Sequence, residues 1–188
     1  MTDHSSLQVF SHVAHNLRTT RQRLGWSQEK LATAADVSRR MLINIEAGAS
    51  NVSIATLDRL ASALGLTFSE LVRQPGSESP VRVWQGHNQH SHATLLHSLA
   101  LPHCTLELWQ WQLAPGDSYQ ATPDPSGCGE IVEVHSGTLQ LSYADKALTL
   151  LAGATAGYGT EYGYRYHNPG RGLLRFQRSI VMPAPQGK

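Results

Sequence analysis

The chain lacks the features that mark secreted, disulfide-stabilised and membrane-spanning proteins. Only two of its 188 residues are cysteine, Cys104 and Cys128, and they form no CxxC pair. Such sparse cysteine usage is typical of a protein kept in a reducing cytoplasm. No apolar run approaches the roughly 20 residues that a membrane span needs. The N-terminus, MTDHSSLQVF, has no basic stretch followed by an apolar one, so we expect neither a signal peptide nor a membrane partner.

An excess of charge of one sign is also missing. Fifteen Lys and Arg residues face fourteen Asp and Glu residues, which leaves a formal charge of +1. Residues 1–74 carry eight basic against six acidic residues, and residues 75–188 carry seven against eight. A net charge of eight minus six is small for a nucleic-acid-binding half. Any DNA contact must therefore depend on where single arginines are placed rather than on bulk charge.

What the first 73 residues do contain is a helical period of apolar side chains, which predicts five helices. The first covers about residues 6–24, and residues 28–35 and 39–47 form two short helices joined by the turn Asp36-Val37-Ser38. Ser53 is placed to cap a fourth helix, and Thr67 with Glu70 has the spacing of a capping box that opens a fifth. Two short helices joined by so tight a turn cross steeply, which is the helix-turn-helix arrangement.

Residues 27–46, SQEKLATAADVSRRMLINIE, resemble the phage-repressor-like (Xre or Cro/C1-type) family, whose pattern is SQxxLAxxxGVSxxxIxxIExG. The turn departs from that pattern at Asp36, where the family has glycine because a positive φ is needed. Aspartate is one of the few other residues that adopts this conformation at tolerable cost. The matching positions are Ser27, Gln28, Leu31, Ala32, Val37, Ser38, Ile45, Glu46 and Gly48.

The resemblance places the second helix of the motif in a DNA major groove. Arg39, Arg40 and Asn44 are then the expected base readers, because Arg pairs bidentately with guanine and Asn with adenine. A contact of Arg39 with phosphate alone remains an alternative. In the family, the residue at the position of Gln28 contacts the backbone or an adjacent base. The residues that we expect at the DNA are Ser27, Gln28, Ser38, Arg39, Arg40, Asn44 and Asn51.

Beyond residue 80 the apolar period changes from helical to two. Residues 74–80, QPGSESP, have the composition of a linker. No helical pattern follows it, and turn residues separate the apolar runs, which predicts a sandwich or a small barrel. The predicted strands are 81–84, 94–98, 105–113, 130–135, 138–143, 148–151 and 172–180.

The order of motifs in this half resembles the cupin family, a small β-barrel. Those motifs are Pro115-Gly116-Asp117, Gly129-Glu130, residues 135–139 (HSGTL), residues 151–153 (LAG) and Tyr164 followed by Asn168-Pro169-Gly170. The whole chain thus resembles bacterial regulators that fuse the two modules. The predicted fold is a five-helix phage-repressor-like bundle in residues 1–73, a linker in 74–80 and an all-β cupin barrel in 81–188. The resemblance also implies a homodimer formed through the barrel.

Cupins that bind a metal show HxH, then Glu, then a further His. Here these positions hold Thr122 and Asp124, Glu130, and Tyr164. Two carboxylates without an imidazole are a poor set for Fe, Mn or Zn. We therefore predict no metal, no cofactor, no catalytic residue and no enzyme activity. We predict instead a small-molecule pocket lined by Asp124, Glu130, Tyr162, Tyr164 and Tyr166.

Several alternatives stay open at this point. Glu130 could simply cap a strand or pair with Arg175. The tract from His87 to His92 is better explained as a solvated loop than as a metal site, and Cys128 as an inert small residue than as a redox sensor. The favoured function is a DNA-binding transcriptional regulator with a small polar effector from amino acid, polyamine or sulfur metabolism. An enzyme acting on a small acid or sugar, and a barrel that only dimerises, are the other two hypotheses.

Overall fold

The computed structural model describes residues 4–48, 52–74, 77 and 79–183. The chain divides into two compact units, with the boundary between Val83 and Trp84. Each unit has its own buried apolar core. The finer bounds that the sequence predicts, residues 1–73, 74–80 and 81–188, stay a prediction.

The described part of the first unit contains five α-helices, which confirms the predicted bundle. Four of its helix starts are capped by a hydroxyl side chain that accepts a hydrogen bond from a backbone N–H: Ser27, Ser38, Ser53 and Thr67. Thr67 and Glu70 complete the predicted capping box. The helices are α1 His4–Arg23, α2 Gln28–Ala34, α3 Arg39–Glu46, α4 Ile54–Leu64 and α5 Phe68–Val72.

The turn between α2 and α3 has the conformation that the sequence requires. Asp36 lies at φ 51°, in the left-handed region where the related sequences have glycine. Ala32, one of the positions that match the family pattern, is 2% exposed, and its carbonyl accepts a hydrogen bond from the Val37 N–H. The small side chain at position 32 thus lets the turn close against the end of α2.

Residues 81–183 form ten β-strands in two antiparallel sheets. Six strands form one sheet in the order β1-β2-β3-β10-β5-β8, and four form the other in the order β4-β9-β6-β7. Without β1 and β2, the remaining four-on-four arrangement is a jelly roll, the double Greek key that cupins share. The strands are β1 Val81–Gln85, β2 His92–Ala100, β3 Cys104–Leu113, β4 Ser118–Ala121, β5 Gly129–Ser136, β6 Thr138–Tyr143, β7 Lys146–Leu151, β8 Thr155–Gly159, β9 Tyr164–His167 and β10 Leu174–Pro183.

Aromatic side chains fill the space between the two sheets. The rings of Trp111 on β3 and Tyr119 on β4 are 4.6 Å apart, and those of Tyr166 on β9 and Phe176 on β10 are 4.9 Å apart. Trp109 and Trp111 are fully buried. They are therefore residues of the core between the two sheets.

The predicted barrel is a pair of facing sheets, and three of its strands are absent from the prediction. β4, β8 and β9 have only four or five residues each, and β8 consists of TAGYG. The Gly and Ala of β8 give too few large side chains to establish a period of two, and β4 and β9, with four residues each, are too short to establish one. None of the described helices has the length and apolarity that crossing a bilayer requires.

Candidate functional site

The helix α3 has a buried face and an exposed face because its apolar residues recur at helical spacing. The buried face consists of Leu42, Ile45 and Glu46. The exposed side carries Arg39, Arg40, Ile43 and Asn44. All three predicted base readers are thus free to meet a partner outside the unit. Ile43 is an addition that sequence reasoning missed: it is one residue from Leu42 and two from Ile45, so the spacing of the buried residues places it away from the core face.

The buried carboxylate of Glu46, on the core side of α3, accepts hydrogen bonds from side chains of α1 and α2. Arg21 of α1 donates to its Oε1 from Nε at 2.6 Å and to its Oε2 from Nη2 at 3.0 Å, and Gln28 of α2 donates to Oε2 at 2.9 Å. Burial raises the pKa of Glu46, but the hydrogen bonds from Arg21 and Gln28 with the nearby positive charges outweigh it and hold the pKa below its ordinary value. Gln28 is therefore held at the start of α2 by a contact within the unit.

The other predicted DNA contacts are placed as follows. Ser27 and Ser38 use their hydroxyl oxygens as N-caps, accepting from the N–H of Lys30 and of Met41, and a hydroxyl keeps a hydrogen that it can donate. Arg39 lies 3.5 Å from Glu29 in an exposed ion pair. The remaining predicted contact, at position 51, lies outside the described residues.

The second unit carries a buried polar cluster, the Glu130 cluster, made of Glu130, Tyr158, Tyr164, Tyr166 and Arg178. Arg178 Nη1 donates to Glu130 Oε1 at 3.0 Å and to the Tyr164 hydroxyl at 2.8 Å. Glu130 Oε2 accepts from the hydroxyls of Tyr158, at 2.6 Å, and Tyr166, at 2.5 Å. Each member is on an inward-facing position of its own strand, β5, β8, β9 or β10, because side chains alternate between the two faces of a strand.

Burial decides the ionisation of the tyrosines in this cluster. Burial, with the charge of Glu130, raises the pKa of Tyr158 and of Tyr166 far above the ordinary value, and burial raises that of Tyr164 against the opposing charge of Arg178. All three phenols are therefore neutral; Tyr158 and Tyr166 donate to Glu130, and Tyr164 accepts from Arg178. Burial lowers the pKa of Arg178, but the charge of Glu130 more than compensates and raises it. The cluster thus consists of one internal ion pair surrounded by phenols.

These residues do not fit a metal ion. Of the four positions that hold a metal in cupins, Glu130 and Tyr164 are both bonded to the same guanidinium nitrogen of Arg178, and Thr122 is exposed. The guanidinium carbon also lies 4.9 Å from the Trp109 ring and 5.5 Å from the Trp111 ring. A metal ion bound at Glu130 and Tyr164 would lie next to the positively charged guanidinium of Arg178, which would repel it. Among the described residues no group of three or more His, Cys, Asp or Glu side chains could hold a metal.

The structure brings some of the predicted pocket residues together and leaves one of them exposed. Tyr164 and Tyr166 point between the sheets with Glu130. Tyr162 does not: it is 70% exposed in the turn before β9, where the strand period that relates it to Tyr164 has not begun. The ion-pair partner of Glu130 is Arg178 and not Arg175, which is exposed and donates to Gln112. The alternation Phe176, Arg178, Ile180 was the available signal for Arg178.

Asp124 lies next to the cluster, in the segment between β4 and β5. Its Oδ2 atom is buried and accepts no hydrogen bond from any residue that the structure describes. Burial raises the pKa of Asp124, the nearby Thr160 hydroxyl and the charge of Arg178 oppose the rise, and the charge of Glu130 adds to it. Near the cluster, Thr160 Oγ1, Arg178 Nε and Trp111 Nε1 are also buried without a hydrogen-bond partner among the described residues.

The histidine tract forms an ordered connection between β1 and β2. The Ser91 hydroxyl accepts from the Ala114 N–H at 2.8 Å, and the His90 carbonyl accepts from Gln112 Nε2 at 2.8 Å. A Cβ atom on Gly86 would approach the Cβ of Ser91 to 2.7 Å, so the chain passes too closely here for any other residue. The exposed side chains of His87 and His90 are consistent with the predicted loop.

Comparisons with known proteins identify the chain at the level of family. The helix-turn-helix family HTH_3 matches residues 17–71. The HTH-type transcriptional regulator SutR of Escherichia coli is 32% identical over 167 residues, which is 89% of this chain and 93% of that protein. The control protein C.MunI of a Mycoplasma species is 42% identical over 45 residues, 24% of this chain and 61% of that protein.

A solved structure shows the same fold over almost the whole chain. An HTH_3 family transcriptional regulator from Vibrio cholerae superposes with a TM-score of 0.69 at 23% identity, covering 94% of this chain and 98% of that one. The chain therefore belongs to the HTH_3 (Xre-type) family of DNA-binding helix-turn-helix transcriptional regulators and carries a cupin-type jelly roll as its second unit.

Proposed function

We propose that the protein regulates transcription in the cytoplasm by binding a specific double-stranded operator as a homodimer, and that its cupin unit senses a small polar metabolite. The single observation that carries the DNA half is the exposed face of α3, where Arg39, Arg40 and Asn44 have no role in the core. Since the unit has little net charge, these side chains must provide most of the sequence preference.

The three side chains have different chemistry at a base edge. Arg40 is expected to bind a guanine through O6 and N7, and Asn44 to bind an adenine through N6 and N7. Arg39 is restrained by Glu29 at 3.5 Å and serves either a base or a phosphate. Gln28, held by Glu46, and the hydroxyls of Ser27 and Ser38 are proposed to contact the backbone.

A dimer follows from the size of the headpiece. One module of this size buries too little surface for tight specific binding, and two modules related by a two-fold axis reach half-sites about one helical turn apart. The operator is therefore proposed to be an inverted repeat. The resemblance to fused regulators suggests that the cupin units hold the two copies together.

The effector half of the proposal is supported by the unsatisfied polar atoms around the Glu130 cluster. Buried polar groups are normally hydrogen-bonded, so the unpartnered atoms here mark where water or a ligand is expected to bind: Asp124 Oδ2, Thr160 Oγ1, Arg178 Nε and Trp111 Nε1. A metabolite with an ammonium or hydroxyl donor suits Asp124. Amino acids, polyamines and sulfur-containing metabolites are the classes to test, with Tyr164 and Tyr166 as further contacts. Catalysis is not proposed, because Glu130 is already occupied by Arg178 and two tyrosines.

The DNA half is tested by selecting duplexes from a random pool with the full-length protein. The expected result is an enriched inverted repeat whose half-sites are about 10 base pairs apart. Arg40→Ala should weaken binding to that site by about 1–3 kcal/mol and relax the choice of one base pair. Arg165→Ala, an exposed arginine on β9, is the matched control and should leave both unchanged. Equal enrichment of unrelated sequences would rule out a specific operator.

The effector half is tested by mass spectrometry of small molecules released from the purified protein. Any released compound, and a panel of amino acids, polyamines and sulfur metabolites, is then screened for a rise in the thermal midpoint. A specific rise that is lost in Asp124→Asn supports the pocket. No rise with any compound, together with water alone in a crystal structure, favours a cupin unit that only dimerises.

A further inference from the structure

The recognition helix α3 exposes an apolar side chain within the surface that is proposed to face DNA. Ile43 is 39% exposed, although it is β-branched and lies in the middle of an eight-residue helix. Its neighbours at helical spacing are Arg40, three residues earlier, and Arg39, four residues earlier, and it lies between them around the helix axis. Neither the core of the unit nor the capping of the helix uses this side chain.

Helix geometry sets which part of the DNA Ile43 can reach. Successive residues turn by about 100° and rise by ~1.5 Å, so Ile43 and Asn44 lie about one turn beyond Arg40 and on either side of it. The rise from Arg40 to Ile43, ~4.5 Å, is somewhat more than one base-pair step of ~3.4 Å. Ile43 therefore faces the base pair next to the one that Arg40 contacts.

In the major groove, the apolar group on the base edges is the C5-methyl of thymine. We infer that Ile43 reads a thymine by packing on this methyl group, so that each operator half-site contains a thymine next to the base pair contacted by Arg40. The inference rests on the proposed operator binding and adds a position and a base to it.

Charge argues for DNA rather than a protein partner at this face. A protein that covered Ile43 would also cover Arg40 and Asn44 and would have to satisfy both. In a major groove, the Arg40 guanidinium and the Asn44 amide can hydrogen-bond to base edges and phosphates. The Ile43 side chain can at the same time bury apolar surface against a thymine methyl group. The three side chains therefore fit one partner together.

The test combines thymine-to-uracil substitution, which removes only the methyl group, with truncation of Ile43. The full-length protein and its selected operator are used, and each half-site thymine is replaced in turn. At one position we expect the wild type to bind about fourfold more weakly, the factor that corresponds to ~0.8 kcal/mol for one buried methyl-sized group. Ile43→Ala should bind the unmodified operator more weakly and show no further loss with uracil at that position.

Met41→Ala is the matched control, because Met41 is 43% exposed on the same helix but lies beyond Asn44 on the side away from Ile43, outside the arc from Arg39 to Asn44. It should keep the full response to uracil. Circular dichroism confirms that both variants are folded. If uracil weakens Ile43→Ala as much as the wild type at every position, or if the selected half-site contains no thymine, the inference is wrong while operator binding stands. If no sequence is selected at all, the proposed operator binding itself has failed.

Discussion

At the scale of single residues, Asp124 combines burial with an unsatisfied carboxylate oxygen. Its pKa is raised, chiefly by burial, so the ionised form is less stable in the folded protein than in the unfolded chain. Below the ordinary carboxyl pKa both states are protonated and nothing is lost. As the pH rises above that value, the folded state is increasingly destabilised. A residue that costs stability at neutral pH is the kind of residue that function retains.

We therefore expect Asp124→Asn to stabilise the protein without ligand, by about 1 kcal/mol at pH 7. The gain should shrink as the pH falls below the ordinary carboxyl pKa, because the wild-type side chain is then neutral too. Urea unfolding followed by tryptophan fluorescence across the pH range measures both quantities. A loss of stability at pH 7 would mean that Asp124 makes a structural contact and is not the open ligand contact proposed above.

A second prediction at this scale concerns the contribution of the Glu130–Arg178 ion pair to stability. Both side chains are at most 3% exposed, so removing one partner leaves the other buried without its counter-charge. Glu130→Gln should cost about 3–5 kcal/mol of the free energy of unfolding of the cupin unit. Replacing both partners, as Glu130→Gln with Arg178→Met, removes the charges together and should cost less than the sum of the single changes.

A double-mutant cycle measured by chemical denaturation gives the coupling directly. The exposed pair Arg39–Glu29, 3.5 Å apart, provides the contrast, because surface ion pairs contribute only about 0–1 kcal/mol. An additive cycle at Glu130 and Arg178 would show that the guanidinium is satisfied by other groups.

At the scale of secondary-structure elements, the helices were more predictable than the strands. Four of the five described helices have a local start signal, such as Ser38 before α3, and a strong apolar period. Strands obtain their partners from distant parts of the chain, so β8 and β9 give almost no local signal. The same distance explains the candidate site: Tyr164 could be expected from its motif, whereas the ion pair of Glu130 with Arg178 joins residues 48 positions apart.

The turn of the helix-turn-helix offers a prediction at this scale. Asp36 occupies φ 51°, which is strained for any residue with a Cβ atom. It also lies 3.5 Å from Arg59, but the carboxylate is almost fully exposed, so that ion pair contributes little. Asp36→Gly removes the steric strain, which stabilises the folded state. It also increases the conformational entropy of the unfolded chain, which opposes that gain.

We expect Asp36→Gly to change the free energy of unfolding of the headpiece by less than about 1 kcal/mol, and Asp36→Val to lower it by more, since a β-branched residue is poorly tolerated at positive φ. Thermal unfolding followed by circular dichroism compares the two variants. Equal stability of Asp36→Val and the wild type would contradict the conformation of this turn.

At the scale of the whole molecule, both modules could be recognised from the sequence, because each contains residues fixed by backbone geometry or by the core. The link between the modules is a different matter. Residues 74–80 have a linker composition, so a ligand in the cupin unit cannot act on DNA through one continuous helix. The proposed route is a change in the pairing of two copies, and so in the spacing of their recognition helices.

Such coupling is typically about 1–3 kcal/mol, and it must be reciprocal. Once an effector is identified, it should change operator affinity by some factor, and operator DNA should change effector affinity by the same factor. Titration calorimetry and fluorescence anisotropy measure the two sides independently. Asp124→Asn should bind the operator normally without effector and lose the response to it, because the substitution is in the pocket and leaves α3 intact. If an effector binds the wild type and leaves operator affinity unchanged, effector binding and operator binding are not coupled. A ligand with equal affinity for two states of a protein does not shift the equilibrium between them.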